Sequence, residues 1–407
     1  MSTGVTRIVV VGGGIAGVST VGALRAGGYV GELTLVDAGD FPYDRPPLSK
    51  DFLAGVKDLK QISLQPAQWY DDNTIDLRTN TAVVALRPSE GGVELADGTL
   101  LNADRVVLAT GGQAARPPIR GVDSPRVFVL RTSEDADRLG AALVPDARVL
   151  VVGAGLIGSE VASTAVDLGC DVTLVDPVAV PIAAAVGHEV AEWLHGLHAG
   201  RGITTLTAGI ESFADTGSGV DAVLTGETEP RSFDVVLLGV GMMPETLLAQ
   251  AAGLEVNRGI VVDPRQVTSN SAVLAVGDPT RIRRDGVLAS RAEHWDAAKR
   301  DGSRAAATIL AAAAPDSMAP WFWTDRHHRH VEGVGYIADA DTTVLRGELG
   351  ADAFSVFGLR EGVVVGAVAV DDSNAVRAAR RMIDRGLVIA PQSLADTATD
   401  LRKLLRG

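Results

Sequence analysis

The stretch RIVVVGGGIAGV, residues 7–18, decides the fold of the N-terminal part of this chain. Its first five residues read as a short apolar strand of the kind that is buried in parallel sheets. The glycine pattern that follows opens a helix, which is predicted to run to about Ala26 and to stop at Gly27. A second strand is predicted at residues 32–36 and ends at Asp37. Together these elements predict a β-α-β unit with a tight turn between its first strand and its helix.

The same pattern returns 141 residues later, in the stretch RVLVVGAGLIG at residues 148–158. Gly169 is the predicted stop of the second helix, and a strand at residues 171–175 leads to Asp176. One glycine cluster could be an ordinary turn between a strand and a helix. Two copies in the same setting indicate an internal duplication of a nucleotide-binding unit.

The spacing Gly-x-Gly-x-x-Gly suits a dinucleotide. The first glycine permits the turn, the second lets a diphosphate approach the backbone, and the third lets the helix pack on the strand, while the helix N-terminus faces the negative charge. Asp37 and Asp176 are expected to accept hydrogen bonds from ribose hydroxyls. We expect FAD at the first copy and NAD(P) at the second. The binding residues expected there are Gly12, Gly14, Ala16 and Gly17 in the first copy and Gly153, Gly155, Leu156, Ile157 and Gly158 in the second.

Two further strand ends carry residues suited to a cofactor. Ala109, Thr110 and Gly111 follow one apolar strand, and Gly277-Asp278 follows another. Ligands of open α/β sheets collect at such ends. Asp278 could bond the ribityl chain of a flavin or could be an ordinary turn aspartate. No basic residue lies between positions 177 and 187 to welcome a 2′-phosphate, so NADH is favoured over NADPH.

These patterns predict an α/β fold with two Rossmann-like dinucleotide-binding domains, in the glutathione-reductase arrangement, and a C-terminal α+β domain. The FAD domain is expected to be discontinuous, at residues 1–111 and 243–318, around an NAD domain at 112–242. The C-terminal domain is expected at 319–407, where alternating strands precede a helix near residues 374–385. An alanine-rich helix is predicted from about Arg291 to Ala314.

Composition excludes several classes of protein. The single cysteine, Cys170, allows neither an internal disulfide nor a cysteine-ligated iron–sulfur cluster, and no metal site is expected. A formal charge of −14 argues against nucleic-acid binding. No apolar run approaches the ~18 residues that cross a bilayer, and residues 1–4 lead directly into a strand without a signal-peptide pattern. A cytoplasmic location is therefore expected.

The segment FPYDRPPLSK, residues 41–50, carries a family resemblance. It resembles the FAD-binding stretch of the ferredoxin reductases that serve oxygenases, of the putidaredoxin, rubredoxin and biphenyl-dioxygenase reductase type. The resemblance extends over the whole chain in the same order. It includes Leu130-Arg131-Thr132, Glu160 after the second glycine motif, Gly239-Val240-Gly241, Gly277-Asp278, Glu293-His294-Trp295 and the stretch PWFWTD at 320–325.

The resemblance implies roles for particular residues. Arg45 and Lys50 should contact FAD, Lys50 should pair with Glu160 beside the flavin ring, and Trp295 and Trp323 should line that ring. Lys50, Glu160 and Trp323 are the expected catalytic residues. The resemblance adds cofactor-binding positions at Val83, Arg131, Gly241, Glu293 and His294. From the residues alone, Lys50 could also be a surface lysine, Glu160 a solvent-facing glutamate of a first helical turn, and the tryptophans core residues.

The chain also departs from the family pattern. Ala297 and Asp301 stand where relatives often have Asn and Gln, which could alter flavin hydrogen bonds. Arg326 stands in place of a usual Gln and begins the basic run RHHRH at 326–330. This run, with the arginines at 281, 283 and 284, is either part of a docking face for an acidic ferredoxin or an ordinary solvated surface.

The function implied is hydride transfer from NADH to FAD, followed by single-electron transfer to a small acidic ferredoxin. A ferredoxin of the two-iron, two-sulfur type that feeds a mono- or dioxygenase is the expected partner, and the chain itself could be a monomer or a homodimer. Disulfide reductases and NADH oxidases or peroxidases need cysteines after the first ribose acid, and residues 37–69 contain none. An apoptosis-inducing-factor-like flavoprotein and a redox sensor without turnover remain open alternatives.

Overall fold

The computed structural model of the protein describes residues 4–88 and 90–406. It divides into two compact units. The first unit extends to Arg45 and includes Asp58–Gln113 and Met242–Asp316. The second unit consists of Pro46–Lys57, Ala114–Gly241 and the chain from Ser317 onward.

Short strands make up much of both units. The strands are β1 Arg7–Val11, β2 Glu32–Val36, β3 Asp76–Arg78, β4 Val83–Arg87, β5 Gly92–Leu95, β6 Leu100–Asn102, β7 Arg105–Leu108, β8 Gly112–Ala114, β9 Val127–Val129, β10 Arg148–Val152, β11 Asp171–Asp176, β12 Thr204–Thr207, β13 Ile210–Asp215, β14 Val220–Leu224, β15 Arg231–Phe233, β16 Val235–Leu238, β17 Met242–Pro244, β18 Ile260–Val262, β19 Val273–Ala275, β20 Thr280–Arg284, β21 Val287–Leu288, β22 Trp321–Arg326, β23 Arg329–Gly335, β24 Thr342–Arg346, β25 Phe354–Arg360 and β26 Val363–Val370.

Helices connect and cover these strands. The α-helices are α1 Ile15–Ala26, α2 Ala67–Asp72, α3 Ser133–Ala142, α4 Leu156–Asp167, α5 Ala183–Val186, α6 His188–Gly200, α7 Leu247–Ala251, α8 Trp295–Ile309, α9 Ser373–Arg385 and α10 Pro391–Ala395. Three short 3₁₀ segments lie at Pro46–Ser49, Ile337–Asp339 and Lys403–Arg406. No helix in the described part of the chain is both long enough and apolar enough to cross a membrane.

A parallel sheet in the order β19-β7-β1-β2-β3 forms the centre of the first unit. Helices α1 and α8 cover one face, where the core includes Ile8, Leu35 and Val107. The other face, with Val9 and Val106, packs in a second core with strand β5, so the strands are apolar on both faces. Gly302 of α8 lies so close to Ala16 and Thr20 of α1 that an added Cβ would meet their backbone atoms. Because β1, β7 and β19 are parallel, their carboxyl ends lie at the same edge of the sheet, next to the start of α1.

The second unit repeats this arrangement with the parallel sheet β12-β11-β10-β16-β9. Val149, Leu150 and Val151 of β10 are fully buried, and α4 packs beside them. The same unit contains the antiparallel sheet β22-β23-β26-β25-β24, with α9 packed on β26. The alternation and the helix stop predicted for the C-terminal part match this sheet and the left-handed Gly386 after α9.

The predicted α/β fold class is confirmed, with two parallel sheets of the expected kind and an antiparallel sheet with a helix at the C-terminal end. The three domain ranges remain predictions. One helix was predicted too long, because α8 covers only Trp295–Ile309. Extended backbone at His294 delays its start, and the left-handed Ala311 (φ 52°) prevents its continuation despite the alanine-rich composition.

Candidate functional site

The first glycine turn joins β1 to α1 in the first unit. Gly12 has φ 111°, and a Cβ there would overlap the carbonyl oxygen of Ala109, so no other residue fits. A Cβ at Gly17 would overlap the carbonyl oxygen of Gly12, which is the close packing of helix on turn that the motif predicts. A Cβ at Gly14 would meet nothing within 4 Å. Gly12 and Gly17 are thus required by the close packing of the turn and the helix, whereas Gly14 borders open space.

The second turn, between β10 and α4 in the second unit, has the same geometry. Gly153 has φ 99°, and a Cβ there would lie 2.5 Å from the carbonyl oxygen of Gly239. A Cβ at Gly158 would overlap the oxygen of Gly153, whereas a Cβ at Gly155 would meet nothing within 4 Å. The duplication inferred from the sequence is therefore reproduced glycine by glycine.

The N-termini of α1 and α4 are both suited to an anion. Gly14 and Gly155 occupy the N-cap positions, and no side chain caps either helix. The first backbone N–H groups of a helix have no partner inside it and carry the positive end of its dipole. Open space at the cap glycine and uncapped N–H groups are what a dinucleotide diphosphate requires, so both turns fit the coenzymes that the sequence predicts.

The two ribose acids also adopt matching positions. The Asp37 carboxylate accepts hydrogen bonds from the N–H groups of Gly13 and Gly39. The Asp176 carboxylate accepts from Ala154 N and Val178 N, each at 2.8 Å. Each carboxylate is thus fixed at the mouth of its glycine turn and keeps lone pairs for a ribose hydroxyl.

The other strand ends of the first unit lie around its glycine turn. Thr110 Oγ1 donates to the carbonyl oxygen of Glu245 at 2.8 Å. Gly277 has φ 77° and places its backbone against Ala16. The Asp301 carboxylate is buried beneath this turn, where it accepts from Gln266 Nε2 at 3.0 Å and Gly277 N at 3.4 Å. The unusual Asp301 thus supports the Gly277 turn, and burial raises its pKa to about 6.

Part of the FPYDRPPLSK segment contacts the start of α8. Asp44 Oδ1 accepts a hydrogen bond from Trp295 Nε1 at 2.8 Å, and Lys299 Nζ lies 5.0 Å from the centre of the Trp295 ring. Arg45, next to Asp44, is half-buried. Burial lowers the pKa of the neighbouring His294, which favours its neutral form. The structure therefore places two predicted positions, His294 and Trp295, at the N-terminus of α8, and a third, Arg45, follows Asp44, which contacts Trp295 there.

Lys50 and Glu160 form the predicted pair, within the second unit. Lys50 Nζ lies 2.9 Å from Glu160 Oε2, and Ser49 Oγ donates to the same oxygen at 2.5 Å. Glu160 Oε1 accepts from Thr324 Oγ1 at 2.7 Å and from Asp325 N at 3.1 Å. The Glu160 side chain is only 3% exposed and that of Lys50 is 18% exposed. The alternatives of a solvent-facing glutamate and a surface lysine are therefore wrong.

Trp323 follows this network on β22. Its ring stacks on that of Trp321, with centres 5.0 Å apart and planes 23° apart, and Trp321 Nε1 donates to Glu332 Oε2 at 2.7 Å. The indole of Trp323 is half-buried. The stacking fixes the Trp323 ring at the edge of the network that holds Glu160.

The basic run 326–330 is not the exposed surface that its composition suggested. Arg326 and His327 are buried, and His327 Nε2 lies 2.8 Å from Nδ1 of the fully buried His198. His327 N donates to Ser163 Oγ on α4 at 2.7 Å. His327 and His328 both have positive φ, 52° and 58°, as a tight two-residue hairpin turn requires. This turn directs Arg326 and His327 inward and leaves His328 exposed.

The remaining arginines considered for a docking face are also mostly engaged. Arg329 pairs with Asp371 at 3.1 Å, and Arg283 pairs with Glu255 at 2.6 Å. Arg281 donates to Asn257 Oδ1 at 2.9 Å, while Arg284 is exposed. The run as a whole therefore cannot act as a continuous basic face.

The other predicted positions have varied surroundings. Val83 packs against the core between β1 and the antiparallel strands, and Glu293 is exposed and pairs with Arg291 at 2.5 Å. Arg131 is half-buried just before α3, where its N–H donates to Asp135 Oδ2 at 3.0 Å. Leu156 is half-buried and Ile157 exposed at the start of α4, Gly111 and Gly241 have positive φ, and Asp278 is half-buried after Gly277.

Sequence reasoning missed the residues that hold Glu160 and the hairpin in place. Glu160 on α4 accepts hydrogen bonds from Ser49, Thr324 and Asp325. The hairpin residue His327 contacts Ser163, which lies on α4, and His198, which lies on α6. Ser49, Thr324 and Asp325 lie in the FPYDRPPLSK and PWFWTD motifs, so proximity to a recognised motif was the available signal for these three residues, and Ser163 and His198 had none.

Comparisons with known proteins agree with this geometry. Residues 6–302 match the family described as pyridine nucleotide-disulphide oxidoreductase, and residues 321–405 match the family described as reductase C-terminal. The chain is 37% identical over 404 residues to the ferredoxin–NAD+ reductase component of the anthranilate 1,2-dioxygenase system of Burkholderia cepacia, with 98% of each chain covered. It is 33% identical to the corresponding subunit of the benzene 1,2-dioxygenase system of Pseudomonas putida, again over 98% of each. Its structure is similar to the reductase in the covalent putidaredoxin reductase–putidaredoxin complex, with a TM-score of 0.91, 31% identity and 98% of each chain covered.

Proposed function

This chain belongs to the pyridine nucleotide-disulphide oxidoreductase family, and from that premise we propose that it is an NADH-dependent, FAD-containing ferredoxin reductase. The observation that carries the proposal is the duplicated glycine turn, with an open second glycine and a fixed carboxylate in each copy. A chain with two such turns is built to bind two dinucleotides. The relatives that it matches over nearly their whole length are reductases of dioxygenase systems.

FAD is assigned to the first turn. Gly12, Gly14, Gly17 and Asp37 would hold its adenosine diphosphate part, and the Gly277-Asp278 turn the ribityl part. When bound, FAD would accept a hydride and release its electrons one at a time. The side chains of this protein do not supply that chemistry. The role of the protein is to hold the coenzyme rigidly, and the Asp44–Trp295 hydrogen bond keeps Asp44 at the start of α8 for that purpose.

NADH is assigned to the second turn. The uncapped N-terminus of α4 would bind its diphosphate, and Asp176 would accept from its ribose hydroxyls while repelling a 2′-phosphate. Glu160 lies on the same helix, two residues after Gly158. The nicotinamide end of a dinucleotide bound at this turn would therefore lie on the side of α4 that carries Glu160.

The end of the site where hydride transfer would occur is assigned to Lys50, Glu160 and Trp323. Glu160 holds the Lys50 ammonium at 2.9 Å, which keeps a positive charge close to the end of the site where negative charge develops during hydride transfer. Trp323, held by its stacking on Trp321, would supply a flat wall for a ring.

The proposed electron acceptor is a small acidic ferredoxin of the two-iron, two-sulfur type that feeds a mono- or dioxygenase. The test is NADH-dependent cytochrome c reduction with a panel of purified ferredoxins at several salt concentrations. We expect one ferredoxin to accelerate the reaction strongly. The salt series shows whether charge attraction contributes to docking, because a rate that depends on such attraction falls as salt screens it. No acceleration by any ferredoxin, with NADH still reducing the bound flavin, would favour an apoptosis-inducing-factor-like flavoprotein. Binding of NADH without turnover would favour a redox sensor.

A cytoplasmic location also belongs to the proposal. Its support is chemical: Cys170 is buried and burial raises its pKa, so it is an unreactive thiol and not half of a disulfide of the kind common in secreted proteins. Cell fractionation followed by immunoblotting would test the location directly.

A further inference from the structure

Arg326 is a buried cation that the proposed function does not yet use. It lies at the end of β22 in the second unit, and the residue is 3% exposed. Its Nη2 donates to Thr324 Oγ1 at 3.3 Å, and that hydroxyl in turn donates to Glu160 Oε1 at 2.7 Å. The Thr324 hydroxyl therefore links the guanidinium of Arg326 to the carboxylate that holds Lys50.

The hydrogen bonds of Arg326 do not by themselves account for the burial of its charge. Its Nε is buried without a hydrogen-bond partner among the described residues. Burial lowers its pKa to about 10, and the charge that opposes this effect is Glu160. Arg326 is thus still a cation at neutral pH. Because a buried charge is costly unless another charge compensates it, the electrostatic role of Arg326 must be sought at Glu160.

Other charged groups near α4 are already engaged. Arg148 on β10 pairs with Asp234 at 2.8 Å, and Asp176 on β11 accepts two backbone hydrogen bonds. On β22, Asp325 Oδ1 lies 2.5 Å from His330 Nδ1, and Asp325 Oδ2 lies 3.8 Å from Lys50 Nζ. Glu160 therefore has Lys50 as its direct cation and Arg326 as a second one, reached through a single hydroxyl.

We propose that Arg326 is a positioning residue, the second counter-charge of Glu160, which keeps that carboxylate ionised and oriented when the Lys50 ammonium turns toward a bound dinucleotide. Lys50 is the more exposed of the two cations and has a second carboxylate, that of Asp325, at 3.8 Å, whereas Arg326 is enclosed. Without Arg326, movement of Lys50 would leave a buried carboxylate uncompensated, and Glu160 would take up a proton or retain Lys50. This inference rests on the proposed role of the Lys50–Glu160 pair.

A double-mutant cycle tests the proposal in the FAD-loaded enzyme. Arg326→Gln removes the charge, and Glu160→Gln removes the group through which it is proposed to act. We expect Arg326→Gln to lower kcat/KM for NADH about tenfold when Glu160 is present and less than about twofold in the Glu160→Gln background. Arg326→Lys should keep most of the activity, because it retains the charge. An equal loss in both backgrounds would overturn the proposal, since Arg326 would then act independently of Glu160.

A second readout does not depend on turnover. In protein labelled with carbon-13 at glutamate carboxyl groups, infrared difference spectra against Glu160→Gln report whether Glu160 is protonated. We expect a protonated carboxyl signal at neutral pH in Arg326→Gln and none in the unmodified enzyme or in Arg326→Lys. An ionised Glu160 in Arg326→Gln would contradict the proposal. This signal is independent of ferredoxin, so failure of the reductase assignment would be seen separately, in the unmodified enzyme.

The matched control is Arg329→Gln, an arginine three residues along the same hairpin that pairs with Asp371 instead. It should leave kcat/KM and the infrared signal unchanged. If Arg326→Gln does not fold, Thr324→Val carries the test, because it removes only the linking hydroxyl. We expect Thr324→Val to lower kcat/KM in the presence of Glu160 and to have little effect in the Glu160→Gln background. An equal effect in both would overturn the proposal.

Discussion

Replacing the second and the third glycine of the second turn by alanine should impair different properties of the protein. Gly155 has φ −68° and ψ −165°, which alanine adopts without strain, and an added Cβ would meet no protein atom within 4 Å. A Cβ at Gly158 would overlap the carbonyl oxygen of Gly153, a backbone atom that cannot turn aside. Gly155→Ala should therefore affect binding and Gly158→Ala should affect folding.

The magnitudes follow from these contacts. Gly155→Ala should change the free energy of unfolding by less than about 0.5 kcal/mol, because nothing in the protein is displaced. Its methyl group occupies the space of the diphosphate and weakens hydrogen bonds from N–H groups to a charged ligand, each worth about 1.5–3 kcal/mol. The Kd for a dinucleotide should rise about ten- to a hundredfold. Gly158→Ala should cost about 3 kcal/mol of stability through overpacking.

Both effects can be measured on the FAD-loaded protein. Calorimetric titration with ADP-ribose, which cannot donate a hydride, gives Kd, and denaturant unfolding gives stability. The control is Gly196→Ala, an exposed glycine in α6 of the same unit with no atom within 4 Å of an added Cβ. It should leave Kd unchanged and stabilise the helix by up to about 1 kcal/mol. Unchanged ADP-ribose affinity in a folded Gly155→Ala would refute the assignment of this turn as a dinucleotide site.

Three further predictions concern charge. Burial lowers the pKa of His198 and His327, so the folded protein keeps them neutral while the unfolded chain protonates them below pH ~6.5. The free energy of unfolding should therefore fall as pH decreases from ~6.5, by up to about 1.4 kcal/mol per pH unit for each histidine. In denaturant unfolding at several pH values, the variant with both His198→Asn and His327→Gln should show a shallower fall, and an unchanged slope would contradict the burial argument. Asp301, whose pKa is raised to about 6, acts in the opposite sense, because its ionisation costs stability as pH rises from about 4 to 6. Asp301→Asn should accordingly be about 2–3 kcal/mol more stable than the unmodified protein at pH 8 and not at pH 4, and equal stability at pH 8 would show that the carboxylate is well solvated. Finally, Asp176→Ser combined with Val178→Arg should move the ratio of kcat/KM values toward NADPH by at least about tenfold, and an unchanged ratio would show that Asp176 does not contact the ribose.

Much of the fold was predictable because its signals are local. The strands at 7–11 and 148–152 are apolar runs followed at once by glycines, and both were found at the predicted bounds. Asp37 and Asp176 were predictable for the same reason, since each ends a strand at a fixed distance from its glycines. Backbone conformation was less predictable, as α8 shows: alanine favours a helix, yet the helix ends at Ile309, before the left-handed Ala311.

The network around Glu160 could not be derived from the chain without a family resemblance. Lys50 and Glu160 are separated by 110 residues and Glu160 and Thr324 by 164, and no local pattern joins positions so far apart. The prediction that the basic run at 326–330 is exposed was wrong for a physical reason. A cluster of charges is usually solvated, but the hairpin turn at His327 and His328 directs two of the five side chains into the core.

Anaerobic stopped-flow mixing tests the reductase account most directly. The purified, FAD-loaded protein is mixed with NADH, the flavin absorbance is followed, and oxidised ferredoxin is then added in a second mixing step. We expect rapid loss of flavin absorbance with NADH, a slower or weaker loss with NADPH, and recovery of the absorbance as the ferredoxin becomes reduced. Flavin that stays oxidised with excess NADH, or a protein that folds and takes up no FAD, would contradict it.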